Sequence, residues 1–486
     1  MTGNMTTKPA IVIAGGGLSA LMMARMIRLY RDPAARIIIV EKEDSVGGQY
    51  GSYDYGEYGY FDIGMHIYYE SCIPEIDDLF TGLLPEEEWH ILEGNHKYIQ
   101  GLFYNGRLQE DTPCVDLRNL PEEQWKRYTA DLMLAIRREK DTALPEHPSA
   151  YDVLQRHFGK ILADEIFVPV LDKLYLEHPS GLDELATLFT PLTRVALYEA
   201  DQMLDLMKSE QVRSRIAYPD QLSLPPYRTN PYRGFYPKQF GMFRVMEKLK
   251  QVIEAEGTSV LTSSSISDLA LDGERLKSVV IRGKDGNETR VPVQELYWAA
   301  GLPSLAKALD LEMSDLVYDK KQTEAMYINL LFDKMPEMGK LYYFFCFDKG
   351  YRSFRVTQYS NYCPGAAGQR GYPLCVEWWA QPGDSPAEED ILRLVLDELR
   401  SFTVINNSHT LKFAKVEKLK GFGFPLPSVR NISNMKTIGD RIRERGISNI
   451  IPTGVLSGKN VFFIKEVLID TYQKVMNRKP VPAMAS

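Results

Sequence analysis

Ala10-Ile-Val-Ile-Ala14, Gly15-Gly-Gly-Leu-Ser-Ala20 and Arg36-Ile-Ile-Ile-Val-Glu41 decide the fold. The first run is short, wholly apolar and rich in β-branched residues, as a strand buried on both faces of a parallel sheet requires. Three glycines follow, then a helix-patterned stretch from Leu21 to Tyr30, then a second apolar run that stops at Glu41. This is a βαβ unit in which Gly15, Gly17 and Ala20 fill the GxGxxG/A positions. Gly15 permits the tight turn, Gly17 lets the backbone approach a pyrophosphate, and Ala20 keeps the helix close to the strand. The helix start at Leu18 and Ser19 offers N–H groups and a positive dipole end to phosphates. Glu41, with Lys42 beside it, stands where an acid can accept hydrogen bonds from a ribose diol. The alternative is a glycine-rich turn that holds nothing.

Moving outward, Asp44-Ser-Val-Gly-Gly-Gln-Tyr50 places a second glycine pair, Gly47 and Gly48, with Gln49, just after the acid. Phe61-Asp-Ile-Gly-Met-His66 then supplies another close-approach point at Gly64, followed by Met65 and His66. A nicotinamide dehydrogenase does not need these, whereas a flavin dinucleotide buried along its whole length does. In these motifs the chain resembles the FAD-dependent amine-oxidase superfamily, most closely its protoporphyrinogen-oxidase-like and UDP-galactopyranose-mutase-like branch. Amine oxidases place an arginine beside the second glycine pair. Here the residues are Val46-Gly-Gly-Gln49, nearer the mutase-like pattern.

The resemblance extends collinearly along the chain. Phe158-Gly through Phe167-Val-Pro-Val-Leu-Asp-Lys173 is similar to the family's helical segment with its Pro-x-x-x-Lys ending. Tyr236-Pro-Lys-Gln-Phe-Gly-Met-Phe-Arg244 resembles the start of a second FAD-domain helix that runs to about Glu256. By the same resemblance Ile266 takes the place of a backbone contact to adenine. Glu295-Leu-Tyr-Trp-Ala-Ala-Gly301 ends in the small residues, Ala300 and Gly301, that let a flavin approach. Ser353-Phe-Arg-Val-Thr357, with Asn361-Tyr-Cys-Pro364 and Glu377, resembles a stretch of the sugar-associated branch. Gly446 through Gly454, then Ser457-Gly-Lys-Asn-Val461 and a helix through Lys474, match the closing FAD segment. Gly454, Asn460 and Val461 are its implied contacts, although the family more often has Gly-Asp or Gly-Arg where this chain has Gly454-Val455.

The implied architecture is α/β plus α+β: a Rossmann-like, GR2-type FAD-binding domain interleaved with a substrate domain of helices and an antiparallel sheet. Its expected pieces are 1–70, 233–310 and 436–478 for the FAD domain, 71–232 and 311–435 for the substrate domain, and a tail at 479–486. The pattern predicts helices over Glu122–Arg138 and Ile391–Leu399, strands over Tyr327–Phe332 and Leu341–Phe347, and an irregular Pro-rich return from Pro219 to Pro237. Strand alternation predicts Ser353, Arg355 and Thr357 on one face, toward a cleft, with Phe354 and Val356 on the other.

Composition narrows the function classes. The 486 residues exceed what one core supports, so at least two domains are expected. A net charge of −8 gives no reason to expect nucleic acid or an acidic membrane surface as partner. Five widely spaced cysteines form no CxxC pair and the histidines no HxH or HxxxH pair, so neither a disulfide framework nor a metal site is expected. The apolar run from Ala10 to Met26 is interrupted by glycines and Arg25, which argues against a membrane anchor and makes the cytoplasm the expected compartment.

Among individual residues, His66 is a candidate to touch substrate or tune the ring, or to make a structural hydrogen bond. Arg355 suits a planar anion, phosphate or carboxylate, or is a salt-bridged strand residue. Lys459 reads as a solvated loop charge at a helix start. Tyr68, Tyr69, Trp378 and Trp379 line a pocket or fill a core. No nucleophile–base pair can be argued from spacing, which suits flavin chemistry, where the cofactor holds the electrons. The expected function is oxidation of a small molecule, such as a nucleotide-linked sugar, by hydride transfer to non-covalent FAD. A mutase using reduced flavin as nucleophile and a non-catalytic flavin-binding protein are the alternatives.

Overall fold

The computed structural model describes residues 8–139, 143–188, 192–320, 324–367, 370–380, 386–418, 426–458 and 461–477. The N-terminal unit folds as its pattern demands. Strand β1 (Ala10–Ala14) leads into helix α1 (Leu18–Met26), extended by one wide turn to Arg31, and returns as β2 (Ile37–Val40). Alternate side chains of these strands enter different cores: Ile11, Ile13, Ile37 and Ile39 one, Val12, Ala14, Ile38 and Val40 the other. That is why the runs are apolar at every position.

Five parallel strands make this sheet, in the order β5 (Ser259–Leu261), β2, β1, β8 (Glu288–Trp298) and β14 (Ile450–Pro452). β8 is long enough to serve twice. Its C-terminal half pairs in parallel with β1, and its N-terminal half closes an antiparallel meander with β6 (Ser265–Asp272) and β7 (Arg275–Arg282). Helix α3 (Phe243–Ala255) buries Val245, Met246, Leu249 and Ile253 in the first core.

The second sheet has seven strands in the order β13 (Leu411–Lys418), β9 (Glu324–Phe332), β12 (Tyr372–Ala380), β11 (Ser353–Gln358), β10 (Tyr343–Cys346), β3 (Gln100–Tyr104) and β4 (Arg107–Gln109). All neighbours are antiparallel except β10 and β3. Ile328, Val376, Trp378, Val356 and Phe344 are fully buried on one face. Behind it lie helix α4 (Glu388–Ser401), which buries Ile391, Val395 and Leu399, and Phe402, whose ring lies 5.5 Å from Phe344.

One expectation fails here. β11 carries a bulge: Ser353 pairs with Trp378, but Arg355, two residues on, pairs with Glu377, only one residue away. The extra residue takes Ser353 off the Arg355 face. Ser353 is fully buried and donates to Glu398 of α4, while Phe354 packs with Phe345 and Trp379 at 5.0 and 5.8 Å. The set on the Arg355 face is therefore Phe354, Arg355 and Thr357, without Ser353. The Pro-rich return is also less irregular than expected, since Gly234–Pro237 is the central strand of a small sheet between Tyr68–Tyr69 and Trp89–Leu92. The helices at Glu122–Arg138 and around Ile391–Leu399 form as expected.

Distant passages of the chain are joined at Asp62. Its side chain is buried and accepts from Ser52 Oγ and Tyr236 OH, each at 2.5 Å, and from Met242 N at 3.3 Å. Its carbonyl accepts from Tyr359 OH at 2.9 Å. Burial pushes this carboxyl up to about 6, against the lowering effect of those hydrogen bonds. Because the folded value lies above the unfolded one, the contribution of this group to stability is largest in acid and declines as pH rises from about 4 to about 6. Asp62→Asn, which cannot ionise, should remove that component. In urea titrations at several pH values, wild-type stability relative to Asp62→Asn should fall across this window and then level. A constant difference would show that Asp62 does not titrate there.

Candidate active site

The two glycine loops lie directly on one another. Gly47 N donates to Gly16 O at 2.8 Å, and Gly17 and Gly47 form a parallel bridge. Gly15, Gly47 and Gly48 have φ of 107°, 106° and 57°, values that favour glycine. A Cβ on Gly47 would come within 2.8 Å of Met246 Cγ, so that glycine is fixed by packing on α3. A Cβ on Gly17 would meet nothing within 4 Å. Protein packing therefore does not explain Gly17, whereas a phosphate seated on the start of α1 does. No side chain caps α1 and its first turn holds no acid, which leaves that end suited to an anion. Glu41 accepts from Gly16 N at 2.5 Å and Glu43 N at 2.8 Å, which fixes its carboxylate beside the glycine turn. Leu18 and Ala20 are buried under the helix, while Lys42 and Gln49 are exposed. These residues fit a dinucleotide pyrophosphate and its ribose.

At the end of β8 three small residues follow one another, Ala299, Ala300 and Gly301. Ala299, rather than Ala300, stands against both Gly15 and Gly454: the Cβ directions of those glycines point to Ala299 Cβ at 3.4 Å and Ala299 O at 3.4 Å. Ala300 is exposed and Gly301 caps the next helix. Ile266 lies in β6 opposite Ile281 and packs against the second core. At the C-terminus, helix α5 (Ile464–Met476) begins later than the sequence suggested, so Val461 precedes the helix instead of starting it. Lys459 and Asn460 lie outside the described residues.

The other end of the site is built on the second sheet. Glu417, Tyr327, Glu377, Arg355 and Phe345 stand directly opposite one another on five neighbouring strands, so their side chains form one row on one face. Arg355 Nε donates to Glu377 Oε1 at 2.8 Å, and Nη2 bonds the same oxygen. The Tyr343 and Phe345 rings lie 5.6 and 6.0 Å from the guanidinium. Gly64 rests on this pair: its Cβ direction meets Arg355 Nη2 and Glu377 Oε1 at 3.3 Å and Tyr327 OH at 3.4 Å. Met65 and His66 follow, with the His66 ring stacked 5.2 Å from Tyr50. Burial, then the charge of Arg355, pushes His66 down to about 4, so its imidazole is neutral at physiological pH.

The structure thus brings His66, Gly64 and Arg355 to one place and adds Tyr327, Tyr343 and Phe345, which sequence reading missed. Their signal was period-two spacing on strands neighbouring Arg355, but it needed the strand pairing to be read. Tyr68 and Trp378 are core residues, fully buried, while Tyr69 and Trp379 are part-exposed. Arg355 and Glu377 side chains keep 20% and 16% of their exposure, so the pair is reachable. Burial opposes the guanidinium charge, but Glu377 holds Arg355 above its ordinary value. Among the described residues no group of three or more His, Cys, Asp or Glu could hold a metal, and no helix is long and apolar enough to cross a membrane.

Residues 13–83 match the NAD(P)-binding Rossmann-like domain family. Among solved structures, reduced UDP-galactopyranose mutase superposes with a TM-score of 0.70 at 15% identity, over 96% of this chain and 95% of that one. A protoporphyrinogen oxidase-like protein from Exiguobacterium sp. 255-15 gives 0.65 at 14% identity, over 98% and 99%. A redesigned putrescine oxidase gives 0.58 at 11% identity, over 96% and 98%. The chain has the fold of the FAD-dependent amine-oxidase superfamily. No curated protein matches its sequence significantly. Members of this fold class include oxidases and a mutase, so the fold leaves the reaction open.

The contrast between the two glycines is testable. Gly47→Ala forces a β-carbon into Met246 at a left-handed φ and should cost about 1–3 kcal/mol of stability. Gly17→Ala should leave the thermal midpoint of the flavin-free protein near wild type but lower flavin content after reconstitution. Equal flavin content in Gly17→Ala and wild type would remove Gly17 from the phosphate cradle.

Proposed function

We propose that this protein is a FAD-dependent oxidoreductase acting on a small molecule in the cleft between the glycine cradle and the second sheet. The observation that carries the reading is the contact of Gly64 with the Arg355–Glu377 pair, which joins the dinucleotide-type loops to a reachable polar group. Gly15, Gly17, Leu18, Ser19, Ala20, Glu41, Lys42, Gly47, Gly48 and Gln49 would hold the dinucleotide half. Gly64, Met65, His66, Ile266, Ala300, Gly301, Gly454, Asn460 and Val461 would border the rest, with Ala299 added. Segments 1–70, 233–310 and 436–478 would form the cofactor half, and 71–232 with 311–435 the substrate half.

When bound, FAD would supply the electron sink for hydride removal from a substrate C–H bond. The protein's part is orientation and electrostatics. Neutral His66 can donate or accept a hydrogen bond without adding charge. The Arg355–Glu377 pair is neutral as a unit and presents a donor beside an acceptor. It therefore suits a hydroxyl, carbonyl or amide of the substrate as well as an anion. Tyr343 and Phe345 give an apolar platform beneath it. Non-redox sugar rearrangement is the second reading, favoured by the likeness to reduced UDP-galactopyranose mutase.

Three measurements test this. Acid precipitation should release FAD into the supernatant, because the linkage is expected to be non-covalent. A preparation that cannot be loaded with FAD would defeat the reading. Under anaerobic conditions, substrates from a panel of nucleotide sugars, amines and alcohols should bleach the oxidised flavin. A compound that is transformed only after the flavin has been reduced, with no net electron change, would establish the mutase reading instead. Arg355→Ala should keep FAD content and raise the substrate KM by about 10- to 100-fold, the loss of one charge-assisted hydrogen bond. Unchanged KM would leave Arg355 as a sheet salt bridge.

A further inference from the structure

From Arg355 to Gln358, β11 pairs regularly with Glu377 to Leu374 of β12, and the bulge lies at the start of that run, between Ser353 and Arg355. With regular pairing through Trp378, Phe354 would oppose Glu377 and Arg355 would oppose Val376, whose side chain is on the opposite, fully buried face. A one-residue slip in a strand moves every side chain to the other face. The bulge thus lets Ser353 pair with Trp378 while Arg355 keeps the face it shares with Glu377, and such features re-aim side chains next to functional sites.

Two charged side chains from outside the sheet grip this bulge. Lys173, on helix α2 (Val168–Tyr175), donates Nζ to Ser353 O at 3.1 Å and to Cys346 O at 2.7 Å, so it ties the end of β10 to the start of β11. Its ammonium also lies 3.4 Å from Cys346 Sγ. Glu398 of α4, whose charge also acts on Lys173, accepts from Arg352 N at 2.7 Å, from Ser353 N at 2.9 Å and from Ser353 Oγ. The backbone just before the extra residue, at Arg352 and Ser353, is therefore held by one cation and one anion. Neither touches the Arg355 side chain.

We infer that Lys173 and Glu398 are positioning residues, which clamp the Ser353–Phe354 bulge and thereby hold Arg355 and its Glu377 partner against the Gly64 loop. The inference rests on the reading that this loop borders the flavin. A half-buried lysine in the Pro-x-x-x-Lys segment would otherwise be a structural tie of one helix to one sheet. The clamp gives it a further consequence: its loss changes the cleft more than it changes the fold.

The test uses FAD-loaded protein and inorganic sulfite, which adds to oxidised flavin and whose affinity reports the positive charge nearby. Arg355→Ala should weaken sulfite binding by about tenfold, since it deletes a cation of the proposed site and leaves Glu377 uncompensated. Lys173→Met, though remote from Arg355's side chain, should weaken it by a similar factor with FAD content retained. The double variant should be no weaker than Arg355→Ala alone, because a residue acting through Arg355 has nothing left to position. Glu398→Gln and Ser353→Ala loosen the clamp at its anion and should move sulfite affinity the same way. They decide the matter if Lys173→Met fails to fold. If Arg355→Ala lowers sulfite affinity but Lys173→Met and Glu398→Gln bind as wild type, or if the double variant shows the product of the single effects, the clamp is overturned and the site reading survives. If Arg355→Ala itself binds sulfite as wild type, the placement of Arg355 beside the flavin falls, and the inference with it.

Discussion

Everything in the site depends on a buried carboxylate that receives hydrogen bonds from distant parts of the chain. Asp62 holds Ser52, Tyr236 and Met242 through its side chain, and Tyr359 holds its carbonyl. The residues just after it, Gly64 to His66, therefore have little freedom in where they emerge. They emerge on the Arg355–Glu377 pair. An isolated buried carboxylate would be costly, but several donors around one acceptor make the arrangement tolerable and specific in geometry. The glycine cradle and the sheet floor, which are remote in sequence, meet at this junction and at Tyr55, which bonds Glu417 and Asn329 of the second sheet.

The N-terminal half of the site was legible because its requirements are local. A parallel strand needs apolar residues on both faces, a tight turn needs Gly15, and a phosphate needs an uncovered helix start at Gly17. All of these are written within a few adjacent positions. Gly64 and His66 were singled out on equally local grounds. The fold class followed from these motifs and their collinear order, and the structure bears it out.

The floor of the cleft was less legible. Arg355 could be singled out as a side chain, but its partners depend on the register of four other strands, and register is a long-range property. Alternation along β11 gave the wrong neighbour, Ser353, because a bulge has no signature as simple as a glycine. What stabilises it lies elsewhere: Lys173 and Glu398 are about 180 and 45 residues away in the chain, and only the packed helices bring them there. Ala299, which packs on Gly15 and Gly454, was for a similar reason not singled out. Which of three small residues faces a glycine depends on where β8 ends, and strand ends are set by pairing with β1 and β14.

The parallel pairing of β3 with β10 has a consequence for how the chain reaches this structure. Gln100–Tyr104 can complete its hydrogen bonds with Tyr343–Cys346 only after some 240 intervening residues have been made. Likewise β8 gains its outer neighbour at Ile450–Pro452, close to the end of the described chain. During synthesis both sheets wait with open edges, since closing such long loops must precede the contacts that reward it. The molecule should accordingly fold slowly and expose apolar strands on the way, which makes its recovery sensitive to temperature and chaperone supply during expression.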